Sequence, residues 1–360
     1  MLRIGNARQL FLDDFVVAEL RGVVRTLHQP TKYENNPVVV PEHPWEDQGI
    51  NYPLVFRDGS IYRMYYLARG SAKDTPDGSG NFGPVGYAES QDGIHWTKPL
   101  LDVYSLPGHP KTSLGFALTQ PPLRQVEGPA IIKDERDPDP QRRYKLFFSK
   151  GRDRVTPTEG FSVAFSPDGL RWKEYDGNPV YKLYGDTQNC LVWDPEIERW
   201  VAFVRMWGKP SFQRPVWFFK KYRQRRIRFV ARMSSADFEH WTPSEVVLTP
   251  DPSDSRVCDF YGIQVTYYEG LYIGFLWVLT SIGGEEPGSH GYLNAQLVTS
   301  RDHGLTWHRV CGRKPVLDRG KQGSFDFGGV YPVPFVTEDK EHLVYYKAID
   351  QQHGVSCNST

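Results

Sequence analysis

A short phrase returns four times along this chain and narrows what it can fold into. It reads Ser90-Gln-Asp-Gly-Ile-His-Trp96, then Ser166-Pro-Asp-Gly-Leu-Arg-Trp172, then Ser235-Ala-Asp-Phe-Glu-His-Trp241. A fourth copy, from Ser300 to Trp307, is longer by one residue. Each copy follows a short run of strand character (VGYAES, FSVAFS, FVARMSS, AQLVTS). Asp-Gly there marks a tight turn, and the Trp opens the returning strand. Upstream of each copy lies an apolar strand, a polar turn and an aromatic-rich strand, as in YPLVFRDGSIYRMYYLA and IQVTYYEGLYIGFLWV. A fifth such unit, VYPVPFVTEDKEHLVYYKA, follows the last phrase. Strand–turn–strand completed by strand–turn–strand describes a blade of four antiparallel strands, so the expectation is an all-β, five-bladed β-propeller.

The blades begin near Asn51, Glu127, Asp186, Asp259 and Asp326, and the whole chain, 1–360, reads as one domain. The fifth blade is incomplete, because little chain remains after Tyr345-Tyr346. Either strands within residues 8–30, LFLDDFVVAEL and GVVRTLHQP, close the ring, or the chain is truncated. An unpaired blade edge is otherwise a liability.

Lys plus Arg number 43 and Asp plus Glu also 43, so no global field draws the chain to nucleic acid or to an anionic membrane. No segment has the length of a membrane span. The first residues lack the apolar run of a signal peptide, which makes a soluble cytoplasmic protein the expectation, or an exported one if the start is misassigned. The four cysteines lie far apart and form no C-x-x-C pair, so neither a zinc site nor a disulfide framework is readable. His43, His290 and His353 are scattered, and none reads as a metal ligand. The basic stretch Phe218–Arg228 reads as a solvated insertion, with binding of an anionic sugar as its functional alternative.

In a propeller the first strand of every blade lines the axis, so residues at the starts of those strands meet at one end. Here those residues are Asn51, Glu127, Asp186 (with Asn189 just after it), Asp259 and Asp326. Four of them are carboxylates, although Asp and Glu are depleted in strands. Clustered carboxylates suit glycoside hydrolysis, in which one acid protonates the leaving oxygen and an ionised partner activates water or attacks the anomeric carbon. Glu127 is the expected general acid, with Asp186 and Asp326 as rival bases or nucleophiles. Asp259 would orient the substrate or stabilise the transition state. Tyr52, Trp45 and Trp207 are candidates for stacking on sugars, as is Trp217. Asn51 and Asn189 would hold hydroxyls, and Arg205 (or Arg124 or Arg142) would hold an anion. The Ser-x-Asp-Gly-x-x-Trp phrases themselves read as structural turns.

The blade pattern, these turns and the polar strand entries resemble the five-bladed glycosidases of families 32, 43, 62, 68 and 117, and the phosphorylase-containing family 130. Glu127-Gly-Pro129 is similar to the general-acid context of family 43. LFLDDF, DPDPQRRYK, GDTQN, YYEGLYIG and GSFDFGG look closer to a group of family-32-like bacterial proteins. The first blade departs from family 32: where that family has Asn-Asp-Pro, this chain reads Asn51-Tyr-Pro53, leaving Glu46 or Asp47 as the nearest substitutes. The resemblance implies a glycosidase acting on an oligo- or polysaccharide without a required cofactor; some relatives carry an axial calcium ion, and nothing in this sequence shows one. A non-catalytic sugar-binding propeller and a phosphorylase are the alternatives.

Overall fold

The computed structural model describes residues 8–70, 83–118, 126–150, 160–183, 185–208, 227–255, 257–282, 290–338 and 341–354. The basic stretch, Trp217 and Arg124 lie outside them, apart from Ile227 and Arg228.

The chain is all-β, and its sheets follow one another in sequence order. The first holds β1 (Ile50–Asp58), β2 (Ile61–Ala68), β3 (Val85–Ser90) and β4 (Trp96–Thr97), with β5 (Leu114–Phe116) added beside β3. The second holds β6 (Val126–Lys133), β7 (Tyr144–Lys150), β8 (Gly160–Ser166) and β9 (Lys173–Glu174). The third holds β10 (Cys190–Asp194), β11 (Arg199–Gly208), β12 (Ile227–Ser235) and β13 (Glu245–Leu248). The fourth runs through β14 (Cys258–Tyr268), β15 (Leu271–Ser281) and β16 (Gly291–Ser300), with β17 (His308–Arg309) and β18 (Pro315–Leu317) beside β16. A last hairpin continues this sheet: β19 (Gly329–Pro332) meets β16 in parallel at Leu293 and pairs with β22 (Tyr346–Ile349), while β20 (Val336–Glu338) pairs with β21 (Glu341–Leu343).

The four phrases are one hydrogen-bond network built four times. In the first, Ser90 Oγ accepts from the backbone N–H of Asp92 and Gly93, while Asp92 Oδ1 accepts from Ile94 and His95. Trp96 Nε1–H then closes the turn on the Gly93 carbonyl at 3.1 Å, and Trp172, Trp241 and Trp307 do the same in their copies. The residue that turns the chain is left-handed in each copy: Gly93, Gly169 and Gly304, but Phe238 (φ +70°) in the third. A Phe there is strained, and its ring is fully buried among Trp200, Trp241 and Phe165.

Each turn also docks on the preceding sheet. Arg63 of β2 donates to the Asp168 carbonyl, Arg142 to that of Asp237, and Arg232 of β12 to that of His303. Tyr345, from the last hairpin, donates to the Gly93 carbonyl of the first sheet at 2.8 Å. Apolar layers fill the same interfaces. Tyr65, Tyr87 and Phe116 meet Leu146 and Phe148 between the first two sheets, and Phe203 and Val230 meet Ile263 and Leu276 between the third and fourth. Val336, with Leu343 and Tyr345, closes on the Tyr62 and Met64 layer of the first sheet. The inner strands β1, β6, β10 and β14 contact one another in order, and β22 returns to β1.

The expected N-terminal strands are absent: described residues 8–49 contain none. The run LFLDDF that reads as a strand is broken at Asp13. Its buried carboxylate accepts from the N–H of Phe15 and binds Arg301 and Thr299 of the fourth sheet. The segment is instead a strap laid over the fourth sheet and the last hairpin. Leu10, Leu12 and Leu27 pack on that core. The Gln29 side-chain amide donates to the Pro315 carbonyl and accepts from the Asp318 N–H, satisfying the edge at β18 in place of a strand.

Candidate functional site

Three inner strands enter the axis through irregularities. Bulges interrupt pairing between Asn51 and Leu54 in β1, Glu127 and Ala130 in β6, and Phe260 and Gly262 in β14. A bulge re-aims side chains that strict alternation would send elsewhere. Tyr52 has φ +53° and Gly128 φ +57°. A Cβ on Gly128 would lie 1.7 Å from the Thr187 carbonyl oxygen, so only glycine admits this approach of the second and third sheets.

These entries assemble one cluster. Asp186 Oδ1 accepts from Arg205 Nε at 2.9 Å and from Trp207 Nε1 at 3.0 Å, while Arg205 Nη2 also reaches Oδ1 at 2.6 Å. Among the described residues Asp186 Oδ2 accepts no hydrogen bond. Arg205 further donates to the Tyr261 carbonyl, and its guanidinium lies 4.5 Å from the Tyr261 ring centroid. Arg228 donates to Asp259 Oδ2 at 2.9 Å and stacks 4.2 Å from Trp207. Trp207 and Arg228 face each other across β11 and β12, which puts both guanidiniums at the same end of the third sheet. Tyr331 packs on Tyr261 at 5.8 Å, Lys347 lies over the rings of Tyr331 and Tyr52, and His353 Nε2 meets Tyr261 Oη at 3.1 Å.

Electrostatics tie Glu127 to this group. Burial pushes the Tyr52 phenol well above its ordinary value; Tyr261 and the Glu127 charge add to the rise, while Arg205 and Arg69 oppose it. Burial also acts to raise Asp186, but Arg205, Trp207 and Arg228 outweigh it and hold this carboxyl below the usual range. Arg228 is lowered by burial and by its neighbour Arg205. The side chain of Asp186 is 30 % exposed, whereas Glu127 and Asp259 are almost fully buried, at 2 % and 1 %. Asp186 is thus ionised and the most accessible of the three.

The structure brings Glu127, Asp186, Asp259, Tyr52, Arg205 and Trp207 into one neighbourhood, with Asn51 half-buried at its edge opposite Leu67. Other expectations give way to different placements. Asp326 is bound to Lys32 of the strap at 2.6 Å and to Ser324, so it fastens the N-terminal segment. Trp45 is buried, stacked on His43 and bonded to Ser113, which leaves its indole in the packing of the first sheet. Asn189 is fully buried and donates to the Gly128 carbonyl, joining two sheets in place of a sugar hydroxyl. Glu46, the substitute first-blade carboxylate, is taken by Lys98 and Tyr66. As anion holders, Arg205 is occupied by Asp186 and Arg142 by Glu239. The sequence singled out none of Tyr261, Tyr331 and Lys347; it touched Arg228 only as the end of the basic stretch and His353 only as a scattered histidine. The aromatic-rich partner strands were a signal only for core packing.

Thr187 Oγ1, Gln188 Oε1, Asn189 Oδ1 and Gln264 Oε1 are buried without a partner among the described residues. Gln188 and Gln264 are neighbours, and Gln188 donates to the Pro53 carbonyl of β1. Neutral oxygens of this kind fit a hard cation or water. Among the described residues no three His, Cys, Asp or Glu side chains form a metal-ligand set.

No protein-family model matches the chain. No curated protein matches its sequence. Solved structures do resemble it. One is from the GH130 family of mannoside phosphorylases, which contains glycoside hydrolases that target β-1,2 mannosidic linkages in Candida mannan (13 % identity, 92 % of this chain and 94 % of that chain, TM-score 0.60). A glycosyl hydrolase from Bacteroides ovatus shares 14 % identity over 91 % of this chain and 92 % of that chain, with a TM-score of 0.60. An N-acetylgalactosamine deacetylase from F. plautii, in complex with blood group B trisaccharide, shares 15 % over 86 % of this chain and 82 % of that chain, with a TM-score of 0.55. At such identities the likeness is one of fold, and the fold is that of glycoside-hydrolase-like propeller proteins.

Proposed function

We propose that this chain is a single five-bladed propeller, its fifth blade reduced to a hairpin, that cleaves glycosidic bonds in an oligo- or polysaccharide. The observation that carries the reading is the convergence of Glu127, Asp186 and Asp259 from three successive sheets on one end of the axis. Glu127, on the longest of the three side chains, protonates the leaving oxygen. Asp186 is held ionised through Oδ1, and its Oδ2 activates water or attacks the anomeric carbon. Asp259, paired with Arg228, adds negative charge beside the developing oxocarbenium ion. The fold likeness to glycoside hydrolases supports the substrate class without fixing it, since a deacetylase shares the architecture. The reaction itself needs no cofactor; an axial calcium ion, held by the buried oxygens of Thr187, Gln188, Asn189 and Gln264, would be structural.

The test is a panel of aryl glycosides and oligosaccharides assayed with the wild type, Glu127→Gln and Asp186→Asn. General acid–base catalysis contributes about a hundredfold or more to rate. Each variant should lose at least that much in kcat while keeping its circular dichroism and its glycan affinity. Glycans that bind the wild type and are never cleaved would identify a binding propeller and sink the enzymatic reading.

A further inference from the structure

Arg69 follows β2 directly. Its backbone N–H donates to the Gly49 carbonyl and its carbonyl accepts from Gln48, one rung beyond the Ile50–Ala68 pair. That places it at the axial end of the first sheet, beside the strand entry at Asn51 and Tyr52. Arg205 and Arg228 each hold a carboxylate of the cluster, and Arg142 holds Glu239. Arg69 differs: its Nε is buried without a hydrogen bond, and among the described residues it forms no ion pair. Lys347 reaches the same place from β22, with Nζ 5.6 Å from the Tyr52 centroid and 4.9 Å from that of Tyr331. Around Tyr52 and its neighbour Tyr261, four cations (Arg69, Arg205, Arg228 and Lys347) therefore meet three carboxylates (Glu127, Asp186 and Asp259). Arg69 is half-buried, and a guanidinium nitrogen buried without a hydrogen bond is costly until an acceptor joins it.

We propose that Arg69, together with Lys347 above the Tyr52 ring, forms an oxyanion subsite next to the cleavage site. Planar guanidinium N–H groups match the oxygen pairs of carboxylate, sulfate or phosphate. The oxyanion has two sources. It is an acidic group on the sugar, a uronate or sulfate ester, or it is inorganic phosphate. Phosphate would attack the anomeric carbon in place of water, while Glu127 gives its proton to the departing oxygen and a sugar 1-phosphate forms. The inference rests on the glycoside-cleaving reading of the same site, but its test needs no turnover.

Calorimetric titration of the full chain at constant ionic strength would use sodium phosphate, sodium sulfate and sodium glucuronate, with glucose as the neutral control. At least one oxyanion should bind. Arg69→Gln should weaken it by about tenfold or more, and Arg69→Lys should restore part of the loss. Strong phosphate binding assigns the subsite to a co-substrate, and glucuronate or sulfate binding without it assigns an acidic sugar. Wild-type protein that is folded and binds none of the three overturns the proposal, as does Arg69→Gln protein that binds like the wild type. Running Glu127→Gln alongside separates the two readings. If aryl glycosides are never cleaved but Glu127→Gln still binds the oxyanion through Arg69, the subsite stands and the enzyme falls.

Discussion

At the scale of single residues the site depends on Arg205. Its guanidinium occupies Asp186 Oδ1, leaves Oδ2 for the chemistry proposed above, and keeps the carboxyl charged against the cost of burial. The sign follows from the lowered value. A base whose pKa lies below the ordinary carboxylate range stays active as pH falls toward it, and activity disappears only on passing through it. Arg205→Gln removes the nearest positive charge, so the acid limb of kcat/KM against pH should move to higher pH, by about one unit. The measurement is the profile of both proteins on one substrate; an unmoved acid limb would take Asp186 out of the base role. The carboxylates were legible because Glu127 and Asp259 are each the second residue of an inner strand and Asp186 lies four residues ahead of β10, positions that can be counted from the repeat. Tyr261 was not, because it sits at a bulge, where one extra residue displaces the alternation used for counting. Arg228 and Lys347 lie on partner strands and His353 on the tail, and none of these begins an inner strand.

Within one element, the third repeat phrase shows two requirements in conflict. Its turn needs a left-handed residue, which the other copies satisfy with Gly, yet position 238 also has to fill an apolar gap against Trp200 and Phe165. Replacing Phe238 by Gly relieves about 1–2 kcal/mol of backbone strain. It also removes a buried ring, for which truncation costs about 3–5 kcal/mol. Packing outweighs strain, so Phe238→Gly should be less stable by about 2 kcal/mol in urea unfolding, with an unchanged slope. The N-terminal strap is held differently, through charge. Asp13 is buried against Arg301, and its pKa is lowered because hydrogen bonds from Arg301 and Phe15 outweigh burial. A depressed carboxyl contributes stability that is complete above its unfolded value and lost as pH falls through the folded one. Asp13→Asn should therefore lower the melting temperature at neutral pH and flatten its decline below about pH 4. A variant as acid-sensitive as the wild type would show that the strap does not depend on this pair. The strap was misread because hydrophobic run length was visible in LFLDDF, whereas the side-chain turn at Asp13 arises from contacts nearly three hundred positions away.

For the whole molecule the question is how the last hairpin closes on the first sheet. The repeat period was readable because the turn chemistry is local to each phrase. Closure was not, because it depends on docking between the two ends of the ring. At three junctions an arginine reaches a turn carbonyl in the next sheet; at the closing junction the Tyr345 hydroxyl takes that place on the Gly93 carbonyl, beside the Arg57–Glu338 ion pair. Gly93 has no room to change: a Cβ there would stand 2.5 Å from Tyr345 Oη and 3.3 Å from Leu343, at φ +76°. Gly93→Ala must therefore either push the hairpin away or abandon the turn, and both loosen the first sheet from the last. Tyr345→Phe removes only the hydrogen bond and keeps the ring, at a cost of about 1 kcal/mol. Hydrogen exchange separates the cases, since local opening is reported strand by strand. In Gly93→Ala, protection should fall in β1, β2, β19 and β22 and hold in β10–β12 on the far side; Tyr345→Phe should show the same pattern more weakly. Uniform loss across all sheets would mean that the ring unfolds as one unit and that this junction is no weaker than the others.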